Sequence, residues 1–217
     1  MKEIINGLSV FLEGNSKNKP IVFIHGFPYD HTMWKAQIEK LSENYFCVSY
    51  DIRGSGESPV GDGQYTMESF VDDLEAIIDQ LKLDKPILCG LSMGGYIGLR
   101  ALERFEEKFS AVVLCDTRAD ADGNEGKSKR AAAIKRINTE GLAPFVKDFI
   151  TNCFGDDYKQ TNPEELEKII AKSSSFNLVG VKGCLLAMLG RNDTTEFLNK
   201  IKIPALVICG EFDALTP

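Results

Sequence analysis

The sequence predicts an α/β fold in which a mostly parallel central sheet carries an inserted block of helices. Three observations predict it: short continuous apolar runs recur along the chain, helical patterns lie between them, and residues 118–200 contain helical patterns only. Unbroken apolar runs are typical of strands that are buried on both faces of a parallel sheet. Strands that alternate with helices predict right-handed crossover connections.

The strands follow from local patterns. Alternating apolar and polar residues in 2–13 predict two short strands that turn at Asn6-Gly7, a strong hairpin signal. Five apolar runs then predict strands buried on both faces, at residues 21–24, 47–50, 87–89, 111–114 and 205–208. In a parallel sheet the functional site lies at the carboxyl ends of the strands, so the residues after each run are the candidates for chemistry.

Helices are predicted by apolar residues that recur at helical spacing. Phe70, Leu74, Ile77, Ile78 and Leu81 share one face of a helix behind an N-cap at Thr66. Further patterns predict helices at 96–105, 128–140, 142–153, 163–171 and 179–189. We therefore expect a core at 1–117, a helical cap inserted at 118–200 and a return to the core at 201–217. The alternative is a separate helical domain, but an apolar run follows at once.

Composition excludes several classes of protein. The formal net charge of −7 disfavours a nucleic-acid binder or a binder of anionic membranes, because both need a clustered basic face. No apolar stretch approaches the roughly 20 residues that span a bilayer. The N-terminus is typical of a strand rather than a signal peptide, which predicts a cytoplasmic protein. Six cysteines without a C-x-x-C pair predict buried, reduced thiols and no metal site.

A candidate nucleophile lies in the motif Gly90-Leu91-Ser92-Met93-Gly94, between a predicted strand and a predicted helix. A sharp strand-to-helix turn exposes the serine hydroxyl and requires small neighbours, which the glycines supply. The N–H of Met93 would then face developing negative charge. The alternative is a structural turn, since glycine and serine are common.

Two further loops follow the first two buried strands. In the loop His25-Gly26-Phe27-Pro28, the Phe27 N–H is a candidate second oxyanion donor, and His25 is expected to fix the loop rather than act as a base. Residues 51–58, D-I-R-G-S-G-E-S, could be a phosphate cradle or a structural loop. The spacing matches neither a P-loop nor a dinucleotide-binding motif, which favours the structural loop.

Asp213 is the candidate acid that would orient a histidine, because it follows the last predicted strand in Gly210-Glu211-Phe212-Asp213. Asp116, after the 111–114 run, is the alternative. A turn-capping role is the structural explanation for either residue. The chain order serine, acid, histidine favours Asp213.

These four motifs in this order resemble the α/β-hydrolase superfamily. The details H-G-F-P at 25–28, M-W at 33–34, S-M-G-G at 92–95 and D-T-R-A-D-A at 116–121 are similar to its enol-lactonase and carboxylesterase branch, near the cofactor-free bromoperoxidase-like esterases. The resemblance implies Ser92 as nucleophile, Asp213 as acid, and the Phe27 and Met93 amides as the oxyanion hole. It also implies that Trp34 and the cap shape an apolar pocket, although core packing is the alternative for Trp34.

The catalytic histidine does not follow the family pattern. The family places it beyond the acid, after another strand, whereas this sequence has only His25 and His31 and stops four residues after Asp213. We expect the base, a C-terminal strand and a helix to be missing from these 217 residues, which would leave 205–208 as an exposed apolar edge. A cut or omitted C-terminal piece, a completing second chain and a short form without catalysis are the possible explanations.

The sequence thus predicts a serine hydrolase that cleaves a small-molecule ester, lactone or thioester through an acyl-enzyme, with no metal or organic cofactor. These 217 residues alone are expected to be nearly inactive. A non-catalytic receptor for a small ligand, on the same fold, is the alternative.

Overall fold

The structure, a computed structural model, describes residues 1–216. Its centre is a seven-stranded sheet of order β1-β2-β4-β3-β5-β6-β7, in which β3 to β7 run parallel and β1 and β2 are antiparallel to their neighbours. The strands are β1 (Lys2–Ile5), β2 (Leu8–Glu13), β3 (Pro20–Ile24), β4 (Phe46–Tyr50), β5 (Ile87–Leu91), β6 (Ala111–Cys115) and β7 (Ala205–Ile208). The predicted α/β architecture is confirmed.

The first two strands form the predicted hairpin. Asn6 and Gly7 have φ values of 50° and 80°, the positive angles that a tight two-residue turn requires at both positions. β2 then pairs with β4, with Val10 opposite Tyr50, and so covers the edge of the parallel strands.

The structure has eight α-helices within the described residues. Their bounds are α1 (Lys35–Leu41), α2 (Met67–Gln80), α3 (Met93–Phe105), α4 (Asn124–Glu140), α5 (Leu142–Asn152), α6 (Asp156–Thr161), α7 (Pro163–Ser174) and α8 (Leu178–Leu189). The predicted start of α2 is confirmed: Thr66 Oγ1 accepts the N–H of Ser69 at 3.1 Å, and Ser69 Oγ accepts the N–H of Thr66 at 3.1 Å. The sequence patterns did not predict α1 and α6, which are both short.

Helices cover the two faces of the sheet unequally. α2 and α3 bury one face through a core that includes Val22, Phe70 and Ile97. On the other face a smaller cluster joins Phe23 and Cys89 to Trp34 and to Ile38 of α1. α1 therefore anchors the loop that follows β3.

The apolar run at residues 205–208 alone predicts burial on both faces, whereas a missing C-terminal strand predicts an exposed apolar edge. The structure contradicts the first expectation and agrees with the second. All of β7 is exposed, with Leu206 at 54% and Val207 at 69% of their full accessibility. β7 pairs only with β6, and an edge strand cannot bury its side chains without a covering element. The expectation for the thiols needs a similar correction: all six are free, but Cys153 and Cys209 are exposed.

The block between β6 and β7 contains α4 to α8. Its helices touch the loops at the carboxyl ends of β3 and β4: α7 binds Asp30 through Lys172, and α8 brings the Gly180 backbone against that of Gly54. Within residues 1–216, none of the helices combines the length and the apolar character that crossing a bilayer requires.

Candidate active site

Ser92 lies on a strained turn between β5 and α3. Its φ of 52° and ψ of −112° fall in a region that residues other than glycine rarely adopt. The surrounding backbone holds this conformation, because the Ser92 N–H donates to the Cys115 carbonyl at 2.9 Å and the Thr117 hydroxyl donates to the Ser92 carbonyl at 2.8 Å. Sequence reasoning missed Thr117, whose role depends on the pairing of β5 with β6.

The glycine after the serine is required by close packing. A Cβ at Gly94 would overlap the Ile24 carbonyl oxygen and lie 2.8 Å from the Ile24 carbonyl carbon, so the start of α3 rests directly on the end of β3. Ile24 also pairs in register with Gly90. The turn at Ser92 and the loop after β3 are therefore neighbours at one edge of the sheet.

Backbone N–H groups at this edge could bind a negatively charged oxygen. Met93 is the first residue of α3, where N–H groups lack an intrahelical acceptor and carry the positive end of the helix dipole. Phe27 lies in the neighbouring loop, and its ring packs on Phe149 and Phe145 of α5, with ring centroids 5.3 and 6.3 Å away. The helical block thus contacts the residue whose N–H is the candidate second oxyanion donor.

His25 is fully buried and both of its ring nitrogens are engaged. Nε2 accepts the N–H of Ile52 at 3.2 Å, so Nδ1 carries the proton and donates to the Gly26 carbonyl at 2.9 Å. Burial, the largest contribution, lowers the pKa of His25 below its ordinary value. His25 is therefore neutral, and its hydrogen bonds join the loop after β3 to the loop after β4. Such contacts are those expected of a residue that holds a loop in place.

The buried His25 predicts a loss of stability in mild acid. Because its folded pKa lies below the ordinary 6.5, the unfolded chain takes up a proton first as the pH falls through 6.5. The free energy of unfolding is thus expected to fall as the pH drops below about 6.5, by at most about 1.4 kcal/mol per pH unit. Urea unfolding at several pH values measures this slope.

The variant His25→Gln should lose the slope, because glutamine does not titrate. The matched control His31→Gln leaves His25 in place and should keep it. An unchanged slope in His25→Gln would show that another group causes the pH dependence.

His31 also lies away from Ser92. Its ring stacks on Phe11 of β2 at 3.4 Å, and its Nδ1 lies 2.7 Å from Asp51 Oδ1. β2 and β5 are three places apart in the sheet, which corresponds to about 14 Å. Neither histidine of this chain is placed to take a proton from Ser92.

Asp51 organises the loop after β4. Its Oδ1 accepts the N–H of His31 at 2.8 Å and its Oδ2 accepts the N–H of Glu57 at 2.8 Å. Burial acts to raise the pKa of Asp51, but these hydrogen bonds and the His31 side chain lower it below its ordinary value. The loop is bonded to itself and to the loop after β3, as a structural loop requires.

The two candidate acids are neighbours. Asp116 Oδ1 accepts the N–H of Gly210 at 2.8 Å, which fastens the loop that carries Asp213 to the end of β6. Asp213 Oδ1 accepts N–H groups of Leu215 and Thr216 at 2.8 and 3.1 Å. Burial acts to raise the pKa of Asp213, but the Thr216 hydroxyl and these N–H groups lower it below its ordinary value. Asp213 is therefore a carboxylate at neutral pH, held at the same edge of the sheet as Ser92.

Two groups of side chains bring possible metal ligands within 4.8 Å of one another: Asp30, His31 and Asp51, and Asp116, Cys209 and Asp213. In the first group the carboxylates already accept hydrogen bonds from Thr32 and His31, and Asp30 pairs with Lys172 at 2.8 Å. In the second group Asp116 and Asp213 accept backbone N–H groups. Contacts within the protein therefore already engage at least one carboxylate oxygen of each of these four aspartates.

Trp34 packs in the core. It is 4% exposed and contacts Phe23, with ring centroids 5.2 Å apart, in the cluster on the face of the sheet that carries α1. Its burial at the end of the short 3-10 helix His31–Trp34 favours the core-packing alternative, and its role in a substrate pocket stays a prediction.

The helical block binds the loop after β3 through an ion pair that the sequence did not indicate. Lys172 Nζ lies 2.8 Å from Asp30 Oδ2, and the Asp30 side chain is 6% exposed. The same ammonium lies 5.3 Å from the centroid of the Tyr29 ring. No local pattern signals such a contact, because the partners come from distant parts of the chain.

Comparison with known proteins places the fold. The family model for the alpha/beta hydrolase fold matches residues 19–217. Among curated relatives, 3-oxoadipate enol-lactonase 1 of Acinetobacter baylyi is 31% identical over 209 residues, which cover 96% of this chain and 77% of that protein. 3-Oxoadipate enol-lactonase 2 of the same organism is 29% identical, with coverage of 94% and 74%.

Solved structures agree. A thermophilic esterase from Thermogutta terrifontis, solved with malate bound, superposes with a TM-score of 0.91 at 34% identity, covering all of this chain and 82% of the esterase. The enol-lactonase from Burkholderia xenovorans gives a TM-score of 0.88 at 29% identity, with coverage of 99% and 82%. The strained serine turn, the parallel sheet and these matches lead to one conclusion: the chain belongs to the α/β-hydrolase fold family.

Proposed function

We propose that the protein hydrolyses a small-molecule carboxylic ester, lactone or thioester through an acyl-enzyme on Ser92. The observation that carries the proposal is the backbone of Ser92, which is held at φ 52° in front of the N-terminus of α3. A strained nucleophile turn beside free N–H groups suits acyl transfer, in which negative charge develops on the carbonyl oxygen. The enol-lactonases and the esterase among the relatives support an ester or lactone substrate.

In the proposed reaction the Ser92 hydroxyl attacks the carbonyl carbon and gives its proton to a histidine. The N–H groups of Met93 and Phe27 bind the resulting oxyanion. The histidine then protonates the leaving alcohol, thiol or enol oxygen, and water, activated by the same base, releases the acid. Asp213 would orient the imidazole and stabilise its charged form. Apart from the water that releases the acid, these steps use only side chains and backbone groups.

The base in this proposal is a histidine from outside residues 1–217. Support comes from the two histidines of the chain: His25 has both nitrogens engaged, and His31 binds Asp51 beside β2. A further C-terminal segment or a second chain would supply the imidazole.

We also propose that residues 118–200 act as a lid over the edge that carries Ser92, between core segments 1–117 and 201–217. The contacts of Phe149 with Phe27 and of Lys172 with Asp30 support this role, because both join the block to the loop of the candidate oxyanion donor. Lids of this kind exclude water and shape the pocket for the acyl group.

Chemical rescue tests the proposal on the 217-residue chain. Loss of a base costs about 10⁶ in turnover, so the chain alone should react slowly with a fluorophosphonate probe. Imidazole, a small diffusing base, should accelerate labelling, and mass spectrometry should locate the label on Ser92. A form extended by a histidine-bearing segment should hydrolyse p-nitrophenyl butyrate.

The Ser92→Ala variant is the matched control, because it measures reaction at other side chains and direct hydrolysis by imidazole. Fast labelling of Ser92 without imidazole would contradict a base outside the chain. If Ser92 stayed unlabelled even in the extended form, a non-catalytic receptor for a small ligand would be the better description of the protein.

A further inference from the structure

A small, partly open cavity lies at the base of the helical block, and three of its eight lining residues are arginines. Its volume of about 10 Å³ is room for one species of about the size of a water molecule. The wall includes Tyr96, Arg100, Arg118, Arg191, Asn192 and Thr194. The cavity lies behind the candidate nucleophile, because the N–H of Tyr96 donates to the Ser92 carbonyl at 3.2 Å.

Arg191, one of the lining residues, has a charged donor without a partner in the described part of the chain. Its side chain is 3% exposed, and its guanidinium carbon lies 4.2 Å from the centroid of the Tyr96 ring. The Nη atoms bind Asp122 at 2.9 Å and the Asp120 carbonyl at 2.8 Å, but the buried Nε has no hydrogen-bond partner among residues 1–216. Burying an N–H without a hydrogen-bond partner destabilises the folded state, so we expect an acceptor outside the protein to bind this group.

Two further arginines of the wall have free donors. Arg118 uses Nε and Nη2 to bind Asp120, and Arg100 uses Nε and Nη1 to bind Glu68 and Glu103. Each of these two arginines retains one Nη without a partner among the described residues. No carboxylate lines the cavity. Tyr96, Asn192 and Thr194 can accept as well as donate, so the wall would also suit a water molecule. Three guanidinium groups without a lining carboxylate give the wall an excess of positive charge, which favours an anion.

We propose that this cavity binds a small monovalent inorganic anion of the size of chloride. The anion accepts from Arg191 Nε and from the free N–H groups of Arg118 and Arg100. The anion would lie between the two connections that join the helical block to the core. Residues 118–119 lead into the helical block and residues 191–194 lead out of it, and the N–H of Thr194 already donates to the Ala119 carbonyl at 2.9 Å. A bound anion fastens these two connections together.

Thermal unfolding at constant ionic strength tests the site without any need for catalysis. Sodium chloride is exchanged for sodium gluconate, whose anion is too large for the cavity. The unfolding midpoint is expected to rise with the logarithm of the chloride concentration, by about 3–6 °C at ten times the dissociation constant. The line width of the ³⁵Cl NMR signal reports binding directly and should show saturation of the site.

Two variants assign the effect to the cavity. Arg118→Gln removes one lining charge and should weaken chloride binding about tenfold, whereas Asn192→Asp places a carboxylate at the cavity and should abolish the chloride dependence. Arg136→Gln is the control, because it removes an equal charge from α4, where Arg136 pairs with Glu140. Equal midpoints in chloride and gluconate together with an unbroadened NMR signal would overturn the proposal and leave a water in the cavity. An equal response in Arg136→Gln and Arg118→Gln would also overturn it.

Discussion

The Ser92→Gly variant is expected to lose turnover by about 10⁶ in any catalytically complete form of the protein while the fold becomes more stable. Ser92 holds φ 52° and ψ −112°, a conformation that costs a residue with a side chain about 1–3 kcal/mol and costs glycine little. Glycine loses more conformational entropy on folding, which offsets part of this gain. The free energy of unfolding should therefore rise by about 1 kcal/mol.

Urea unfolding and the hydrolysis of p-nitrophenyl butyrate measure the two effects on the same preparation. Ser92→Ala is the matched control, since it also removes the hydroxyl but keeps a Cβ in the strained position. It should be as inactive as Ser92→Gly and less stable. Turnover that survives in both variants would exclude Ser92 as the nucleophile, and equal stability of the two would show that the turn stores no strain.

The Gly94→Ala variant is expected to lose about 3 kcal/mol or more of stability, the cost of overpacking a site that cannot relax. The added methyl group would overlap the Ile24 carbonyl oxygen, which belongs to the backbone of a fully buried strand. The start of α3 would have to move away from β3, and the Met93 N–H would move with it. A catalytically complete form should then also lose about 10² to 10³ in turnover, the usual cost of one oxyanion donor.

Gly98→Ala provides the control on the same helix. Its added methyl group would lie 3.3 Å from Leu88 Cδ2, the end of a side chain that can shift, and alanine favours the helix interior by about 1 kcal/mol over glycine. Gly98→Ala should therefore unfold within about 1 kcal/mol of the parent protein. Equal losses in the two variants would show that helix propensity, rather than contact with β3, sets the cost.

The sequence predicted the interior of the fold better than its edges. The runs in β3 and β4 are apolar on both faces, and their burial depends only on lying inside a sheet, so local pattern was sufficient. β7 carries an equally apolar run but has a neighbour on one side only. The run itself indicates burial, and the exposed edge was predicted only from the strand that the family pattern places beyond it. α1 escaped prediction because its seven residues carry one fully buried side chain, Ile38, too few for a helical period.

In the candidate site, too, some residues could be predicted from the sequence and others could not. Ser92, Gly94 and the loop at His25 were found because a strained turn and a tight loop need particular residue types at fixed spacing. The partners of those residues were not found. Thr117, the Lys172–Asp30 pair and the orphan Nε of Arg191 depend on which segments meet in space, and no spacing along the chain records that.

The sequence by itself therefore determined the α/β architecture, the positions of its main strands along the chain and the position of the serine turn. Periodicity, glycine placement and strand-end motifs reflect physical constraints between residues that are close in sequence. Such constraints can be recognised from the sequence alone. Tertiary structure alone decided that Asp116 holds the loop of Asp213, that His25 and His31 are engaged away from Ser92, and that Trp34 packs in the core. Each of these depends on the order of strands in the sheet, which sets the neighbours of every loop at its edge.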